Sequence, residues 1–366
     1  MGILVEHVTK IYEGRTVLDD VSVEINDGDF ATFLAPSGQG KTTLLRIIAG
    51  IEAPDRGKIY QNGEDVTGWR VQQRNIAVVF QNFINYSNMT VYENIASPLR
   101  VGKVKMSEQE IDKKVRHYAQ LNRISEVLNS NPKEISGGQQ QRTAIARALV
   151  KEAEYIFLDE PMTNLDYKLR EELRSEMKSM FARKKGAVIF ATPEPVDALA
   201  LSTHVGFLSN GRLLQYGPVQ EVYMSPNSIE VGRYFSYPTM NILDGRLVDR
   251  NGRLWMQITE AFKLDVTAFR ESLTERQYEL GIRAHFISTH REEENVIPIK
   301  AKVELREVVG SDTEVHLSHE GVRLIVLEQK VVHYDLGDEI EVYINPSHFF
   351  IFDKNTGKLV CKTHEG

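Results

Sequence analysis

The stretch from Phe30 to Gly50 constrains the fold of this chain more than any other. Its apolar start, Phe30–Leu34, predicts a buried strand, and the apolar spacing within 44–48 predicts a helix that ends at a Gly50 cap. Between strand and helix lies a glycine-rich turn that runs into Lys41. A strand, a glycine-rich turn and a helix with Gly-Lys-Thr at the junction are the context of a phosphate-binding loop. An ordinary strand–turn–helix corner is the alternative, and we favour nucleotide binding.

The loop offers the groups that bind a nucleotide phosphate. Successive backbone N–H groups of the turn can point at one anion, and the helix N-terminus adds its positive dipole end. Lys41 can reach the outer phosphates, and the Thr42 hydroxyl can coordinate Mg²⁺. Ala35 departs from the usual pattern, because it stands where the first glycine is expected. The predicted nucleotide-binding residues of this loop are Ala35, Pro36, Ser37, Gly38, Gln39, Gly40, Lys41, Thr42 and Thr43.

Composition limits the classes of function that the chain can have. With 366 residues the chain is long enough for two domains, and its net charge of −7, without a basic stripe, gives no reason to expect a nucleic-acid partner. Cys361 is the only cysteine, which excludes an internal disulfide and favours a reducing compartment. No apolar run approaches the roughly 18 residues of a membrane span. The N-terminus lacks the pattern of a signal peptide, so we expect any membrane role to be indirect.

A second pair of glycines opens a helix farther along the chain. Ser136-Gly137-Gly138-Gln139 precedes a small-residue helix at 143–150, and Ser136 with Gln139 has the spacing of a capping box. Capping explains the serine and the glutamine but not two consecutive glycines. Two glycines are unfavourable in a first helical turn unless a ligand approaches the backbone closely. The sequence therefore predicts an anion site at this helix N-terminus.

Two carboxylates end a strongly apolar strand that starts at Tyr155. Asp159 suits Mg²⁺, directly or through water, and Glu160 suits a base that polarises an attacking water. A solvated strand end is the alternative. Beyond it, Asn164-Leu165-Asp166 predicts a turn into a helix at 167–184.

The order of the elements predicts two domains. Strand and helix units alternate to about residue 220, which predicts a mainly parallel sheet with helices on it. From about Ser236, short β-rich runs separated by turns predict a small all-β barrel. We therefore predict an α/β domain over 1–235, with a helical subdomain at about 82–155, and an all-β domain over 236–366.

Together these motifs resemble those of the ATP-binding cassette (ABC) transporter ATPases, over essentially the whole chain. A Walker A-like loop at 35–43, Gln81 of the Q-loop, the signature at 136–139, Walker B through Asp159 and Glu160, and the D-loop at 164–166 stand in the family's order. The resemblance implies a P-loop NTPase fold with ATP and Mg²⁺ as ligands. Two C-terminal motifs resemble the transport-associated, OB-like barrel of sugar-importer ATPases: Leu280-Gly281-Ile282-Arg283 and Tyr343-Ile344-Asn345-Pro346.

The resemblance also implies roles for individual residues. In that family two ATPase subunits pair head to tail. The ATP held by the partner would therefore be contacted by the signature residues Ser136, Gly137, Gly138 and Gln139. Asp166 would be the D-loop residue. Tyr12, which the sequence alone favours as a packed hairpin residue, would by the resemblance stack on adenine. The implied catalytic residues are Glu160, Lys41 and Gln81, and the implied metal ligands are Thr42, Gln81 and Asp159. The segment Phe83–Thr90 would receive a coupling helix of the membrane subunit.

Pro193 departs from this family pattern. The family places a histidine there, after the strand that ends at Thr192, where it contacts the γ-phosphate. Proline has neither a donor side chain nor a backbone N–H, and loss of one such donor costs about 2.7–4 kcal/mol in a comparable case. Neither Glu194, which is anionic, nor His204 is an obvious substitute. We therefore expect a weakened nucleotide site, and a heterodimer with a paralogous ATPase that supplies its own histidine; pairing with itself remains open.

A finer resemblance concerns the transported solute. The segments 81–86, 94–99 and 165–173 resemble the ATPases of bacterial glycerol importers, which use two different ATPase subunits. The implied partners are two transmembrane permease subunits and a periplasmic or lipid-anchored solute-binding protein, at the cytoplasmic face of the inner membrane. The alternatives are a largely non-catalytic ATP-binding subunit and a homodimeric ATPase of another importer. The C-terminal barrel and the lack of tandem cassettes argue against a soluble ABC protein of repair or translation.

Overall fold

Two units of the chain, Met1–Val219 and Gln220–Gly366, each hold a hydrophobic core. The computed structural model describes residues 2–82, 84–101, 105–163, 165–181, 185–291 and 293–363. Among the helices in these ranges, none is both long and apolar enough to cross a membrane.

The first unit alternates strands and helices. Its strands are β1 (Gly2–Tyr12), β2 (Arg15–Asn26), β3 (Phe30–Leu34), β4 (Arg56–Gln61), β5 (Glu64–Asp65), β6 (Ile76–Val79), β7 (Tyr155–Asp159), β8 (Val188–Thr192), β9 (His204–Ser209) and β10 (Arg212–Pro218). Its α-helices are α1 (Lys41–Ile48), α2 (Val91–Arg100), α3 (Glu108–Leu121), α4 (Gly137–Leu149), α5 (Tyr167–Phe181) and α6 (Pro195–Leu201). The end of the helix predicted at 167–184 lies outside the described residues, which stop at 181 and resume at 185.

The central sheet of this unit brings the sequence motifs to one edge. Its strand order is β10-β9-β3-β8-β7-β6, and all neighbouring pairs are parallel except the edge pair β10–β9. This confirms the predicted mainly parallel sheet. Leu34 at the end of β3 pairs with Thr192 at the end of β8, and Asp159 at the end of β7 pairs with Ala191. Because these carboxyl ends meet, the phosphate loop, the two carboxylates and Pro193 follow neighbouring strands.

Two further layers complete the first unit. Strands β2, β1, β4 and β5 form a separate antiparallel sheet, whose Asn62-Gly63 turn has positive φ at both residues. Helices α2, α3 and α4 share an apolar cluster that includes Val91, Ile111 and Ala146. These helices lie within the range predicted for a helical subdomain.

The second unit is almost entirely antiparallel β-structure. Its helices are α7 (Val219–Met224), whose first residue closes the first unit, and α8 (Ile229–Tyr234). Its strands are β11 (Asn241–Arg250), β12 (Arg253–Gln257), β13 (Lys263–Asp265), β14 (Gln277–Ile282), β15 (Ile287–Ser288), β16 (Ile297–Val309), β17 (Asp312–His319), β18 (Val322–Glu328), β19 (Glu339–Ile344), β20 (Phe350–Asp353) and β21 (Leu359–Lys362). The sheets β13-β12-β11-β14-β20-β21 and β15-β19-β16-β17-β18 close around one core, as the predicted OB-like barrel requires.

The division between the units falls after Val219, earlier than residue 235. The reason is that α8 packs on the β-structure of the second unit. A Cβ atom placed on Gly232 would lie 2.8 Å from Cε of Met240, and Ile229 packs against the cluster of Met240, Phe350 and Phe352.

Candidate nucleotide site

Lys41 lies at the centre of the candidate site. It opens α1 and is only 3% exposed. Its ammonium donates to the carbonyl oxygens of Ala35 at 2.7 Å and Pro36 at 3.1 Å, and it lies 3.3 Å from Oε1 of Glu160. A buried cation needs such partners. Lys41 therefore ties the turn of the loop to the end of β7.

The turn holds its shape through glycine geometry. Gly38 and Gly40 have φ of 79° and 97°, which side chains rarely adopt. A Cβ atom on Gly40 would lie 2.8 Å from Cδ2 of Leu18 and 2.9 Å from the Val17 carbonyl oxygen. Ala35 is buried and is not among the described residues with positive φ. The first position of this loop therefore accepts alanine without strain.

The Thr42 hydroxyl and the Asp159 carboxylate form the candidate magnesium site. Thr42 Oγ1 donates to Oδ1 of Asp159 at 2.8 Å, and Asp159 is 2% exposed. Burial raises the pKa of Asp159, the Thr42 hydrogen bond opposes that rise, and the Glu160 charge adds to it. Hydroxyl and carboxylate oxygens are the hard donors that Mg²⁺ prefers, so this pair fits the metal that the resemblance implies.

Glu160 receives contacts from three side chains. Its carboxylate accepts from Nε2 of Gln81 at 3.2 Å and from the Thr163 hydroxyl at 3.2 Å, and it pairs with Lys41. Its φ is 44°, and its backbone N–H donates to the Ala191 carbonyl at 2.9 Å. The structure thus brings Lys41 and Gln81 each into direct contact with Glu160. No local sequence pattern indicates Thr163, because its contact with Glu160 depends on the turn after β7.

Pro193 follows β8 at the same edge of the sheet, and its neighbour Glu194 is held by a hydrogen bond and an ion pair. The Glu194 N–H donates to the Thr192 hydroxyl at 3.1 Å, and the Glu194 carboxylate lies 3.2 Å from Nη1 of Arg170 on α5. Glu194 is therefore engaged with a cation. Sequence reasoning missed Arg170, because no local pattern relates it to a segment 24 positions later in the chain.

Tyr12 lies at the end of β1 and is 39% exposed. Its hydroxyl is 2.5 Å from Oε1 of Glu52, and the Lys10 ammonium lies 5.3 Å from the ring centroid. Burial and the Glu52 hydrogen bond raise the pKa of Tyr12. The ring is accessible, and its stacking on adenine stays a prediction.

The signature segment forms a capping box at the start of α4. Ser136 N–H donates to Oε1 of Gln139 at 3.0 Å, and Gln139 N–H donates to the Ser136 hydroxyl at 3.3 Å. A Cβ atom on Gly138 would lie 2.5 Å from Cδ2 of Leu169, whereas one on Gly137 would meet no atom within 4 Å. Packing therefore accounts for Gly138, and only Gly137 still points to close approach of a ligand.

The D-loop residue Asp166 begins α5. Its Oδ1 accepts from the Leu169 N–H at 2.9 Å, so Asp166 caps the helix that carries Leu169 onto Gly138. Asn164, the other end of the predicted turn, lies outside the described residues. Within the described part of the chain, no hydrogen bond or ion pair joins the signature segment to the phosphate loop.

An apolar groove lies beside the segment that follows Gln81. It has a volume of about 620 Å³, and its lining includes Phe80, Met89, Pro98 and Arg147. Asn94 of α2, which is fully buried, fixes one side of it by donating to the carbonyls of Tyr86, Met89 and Thr90 at 2.9–3.1 Å. The predicted docking segment Phe83–Thr90 thus has a defined shape from Ile84 onward, and Phe83 itself lies outside the described residues.

Comparisons with known proteins agree with this architecture. Family models match at residues 18–163 (ABC transporter) and 280–352 (TOBE domain). A trehalose/maltose import ATP-binding protein of Thermococcus litoralis is 36% identical, covering 98% of this chain and 99% of the relative. An oligosaccharides import ATP-binding protein of Bacillus subtilis is 34% identical (94% and 96% covered), and an sn-glycerol-3-phosphate import ATP-binding protein of Escherichia coli is 32% identical (98% and 99%).

A solved structure resembles part of the chain. It is the dimeric, post-hydrolysis state of an ATP-binding cassette bound to ADP and Pi, 28% identical with a TM-score of 0.55. The match covers 59% of this chain and 98% of that cassette.

Proposed function

Because the chain belongs to the ABC transporter ATPases, we propose that it is the ATP-hydrolysing subunit of an importer for a small sugar or polyol. Import is what the names of the relatives from Thermococcus, Bacillus and Escherichia state for those proteins. Glycerol is the solute that the sequence resemblance favours. The observation that carries the catalytic part of the proposal is the direct contact of Lys41 and Gln81 with Glu160.

The geometry supports a distinct role for each of these residues. The loop amides and Lys41 bind the phosphates of ATP, whose oxygens take the place of the Ala35 and Pro36 carbonyls around the ammonium. Glu160, released from its ion pair with Lys41, polarises the attacking water, and Gln81 orients the Glu160 carboxylate. Thr42, Asp159 and Gln81 would hold Mg²⁺, which neutralises charge on the phosphates when it is bound.

The rest of the chain serves assembly in this proposal. The nucleotide site of a second ATPase subunit is completed by Asp166 and the signature residues Ser136, Gly137, Gly138 and Gln139. A helix of a transmembrane permease docks in the groove beside Tyr86–Thr90, so that its position is transmitted to Gln81. Two such permeases and a solute-binding protein complete the importer, with this chain at the cytoplasmic face of the membrane.

The nucleotide site of this chain is weakened in the proposal, because Pro193 offers no donor to the γ-phosphate. Glu194 cannot replace it, since its carboxylate is anionic and is engaged by Arg170. We therefore propose an asymmetric pair with a paralogous ATPase, with pairing to itself as the alternative. A largely non-catalytic subunit is the second candidate, favoured by Pro193 and opposed by the contacts of Glu160.

The first test is the steady-state ATPase activity of the purified chain beside its Glu160→Gln and Pro193→His variants. We expect low wild-type turnover, abolition by Glu160→Gln, and an increase of about tenfold or more with Pro193→His, since one such donor is worth about 2.7–4 kcal/mol. High wild-type turnover that Pro193→His leaves unchanged would refute the weakened site. Turnover that Glu160→Gln also leaves unchanged would refute the assigned catalytic residue.

The import function requires a test with the partners. Permeases and a second ATPase encoded beside this chain would be co-purified with it in lipid, and ATPase activity measured with and without the binding protein and glycerol. Stimulation by glycerol supports the solute assignment. Stimulation by a sugar instead would keep the importer and reject glycerol.

A further inference from the structure

One face of the β11–β12–β13 sheet in the second unit carries a tryptophan, four cationic residues and one aspartate. Cross-strand pairing places Val248 and Asp265 opposite Trp255, Arg250 opposite Arg253, and Arg246 and Lys263 opposite Gln257. Directly paired residues lie on the same side of a sheet. The alternating residues of β12 and β13, such as Leu254 and Met256, point into the buried core instead. We call these eight paired residues the Trp255 face.

The Trp255 face already binds a carboxylate. Glu260, in the turn between β12 and β13, accepts from Nε2 of Gln257 at 2.7 Å and lies 3.3 Å from the Lys263 ammonium. The same two donors, and then Arg250 more weakly, hold the pKa of Glu260 below its usual range. The Glu260 side chain is 78% exposed, so water can replace Gln257 and Lys263 around its carboxylate without any change in burial. The donors therefore converge on a position that suits an anion.

Two arginines on this face interact with carboxylates only at longer range. In the described part of the chain neither arginine forms a close ion pair, but Arg250 helps to lower the pKa of Glu260 and Arg253 helps to lower that of Asp265. They stand opposite each other across the β11–β12 ladder, and like charges in that arrangement are destabilising. The whole chain has a net charge of −7, so this face is a local exception. An anion bound beside Arg250 would relieve the repulsion.

The space beside Trp255 limits the size of the ligand. Val248, Arg250, Trp255, Gln257 and Lys263 line a groove of about 280 Å³. Small-molecule pockets span roughly 300–1,000 Å³, so this groove suits a molecule at the small end of that range. The Trp255 ring is partly exposed and offers a flat apolar surface. The Arg250 guanidinium can form the paired hydrogen bonds that phosphate accepts.

We propose that the Trp255 face binds a small organic phosphate, with the phosphate group displacing Glu260 from Gln257 and Lys263 and the carbon skeleton lying against Trp255. Arg250 supplies the additional charge that a dianion requires. The second unit contains every residue of this site, so the assignment is independent of the ATPase chemistry proposed for the first unit.

The tryptophan content of the chain provides the probe. Only two tryptophans are present, Trp69 and Trp255, so a Trp69→Phe variant of the full chain reports Trp255 alone. Its emission would be titrated with glycerol 3-phosphate at constant ionic strength, and compared with glycerol and with inorganic phosphate. We expect a saturable change with glycerol 3-phosphate and at least about tenfold weaker responses to either half of the molecule. Calorimetric titration of the wild-type chain would check that Trp69→Phe does not alter the affinity.

Three charge variants, made in the same background, give opposite expectations. Arg250→Gln and Lys263→Gln should each weaken binding about tenfold, as expected for a charged hydrogen bond. Glu260→Gln should strengthen binding severalfold, because it removes the internal competitor. Arg323→Gln, on the other sheet and 87% exposed, is the matched control and should change nothing.

Each contrary outcome would overturn the proposal. No saturable response at millimolar glycerol 3-phosphate would exclude the site, and equal affinity for inorganic phosphate would exclude an organic ligand. A response to hexaglutamate but not to glycerol 3-phosphate would assign the face to an acidic protein partner. Weaker binding by Glu260→Gln would show that this carboxylate does not compete.

Discussion

At the scale of single residues, Ala35 and Pro193 have different consequences for the phosphate site. Ala35 keeps a conformation that alanine adopts freely, and Lys41 binds its carbonyl oxygen, a group that every residue has. Pro193 removes both a side-chain donor and a backbone N–H at the strand edge beside the loop. We therefore expect the first departure from the family pattern to be neutral and the second to limit the reaction.

Ala35→Gly tests the first of these expectations. We expect nucleotide affinity to stay within about twofold of wild type, and stability to fall by about 0.5–1 kcal/mol because glycine has greater freedom in the unfolded chain. Gly40→Ala is the matched comparison. At φ 97°, with the Val17 oxygen 2.9 Å from the new Cβ atom, it should weaken nucleotide binding about tenfold or more. Fluorescent-nucleotide titration and urea unfolding measure both effects, and tighter binding by Ala35→Gly would show that alanine does impair the loop.

At the scale of elements, the two signature glycines are explained differently: Gly138 by packing against Leu169, and Gly137 by the approach of a ligand. Gly138→Ala should reduce stability by about 1 kcal/mol, because its Cβ atom would lie 2.5 Å from the flexible end of Leu169. Gly137→Ala meets open space and should leave stability unchanged or slightly higher, since alanine favours helix. We expect Gly137→Ala nevertheless to reduce ATPase activity in the assembled dimer. Thermal unfolding and ATPase assays measure the two effects, and full activity of Gly137→Ala would remove the last sequence argument for close approach of a ligand.

The contact between α5 and α6 rests on a buried ion pair. Arg174 donates from Nε and Nη2 to Oδ1 of Asp197 at 3.0 and 2.7 Å, and the Asp197 side chain is 1% exposed. Arg174→Met should destabilise the chain by about 3–5 kcal/mol, because it leaves a buried charge unpaired. Burial already raises the pKa of Asp197, and the loss of Arg174 should raise it further. A carboxyl group whose pKa is higher in the folded than in the unfolded state lowers stability as pH rises above the unfolded pKa. The stability deficit of Arg174→Met should therefore shrink as pH falls toward about pH 4.

The control for this ion pair is the double variant Arg174→Met/Asp197→Leu, which should recover most of the lost stability because no charge remains buried. Urea unfolding at several pH values measures the difference. A deficit of less than about 1 kcal/mol, independent of pH, would show that the pair behaves as an exposed one.

The elements also show which parts of the structure local sequence can predict. The strand β3 and the helix α1, with its Gly50 cap, follow from neighbouring residues, and so does the capping box at Ser136. Contacts between distant segments could not be read in the same way. Two examples depend on how α5 packs after the chain has folded: the ion pair of Arg170 with Glu194, and the packing of Leu169 against Gly138.

At the scale of the whole molecule, the position of the unit boundary shows the same limit. Pro226 and Pro238 suggest a break in that region, but they do not reveal which unit the intervening helix joins. That choice depends on Met240, Phe350 and Phe352, which form a cluster beside α8 only once β20 has reached its place in the barrel. The sequence predicted the kinds of domain correctly because their periodicities differ, and the boundary depends on packing that no local pattern records.

Separate cores lead to a prediction about how the whole chain unfolds. Trp69 packs against the core of the first unit, and Trp255 lies in the second, so the variants Trp255→Phe and Trp69→Phe report one unit each. We expect two thermal transitions. In a Glu160→Gln background, MgATP at about 100 times its Kd adds about 2.7 kcal/mol to the unit that binds it, and should raise the Trp69 midpoint by about 5–10 °C. The Trp255 midpoint should not move, because no residue of the nucleotide site lies beyond Val219. Coincident transitions that both shift with MgATP would show that the two units unfold as one, and would place part of the nucleotide's stabilising effect in the barrel.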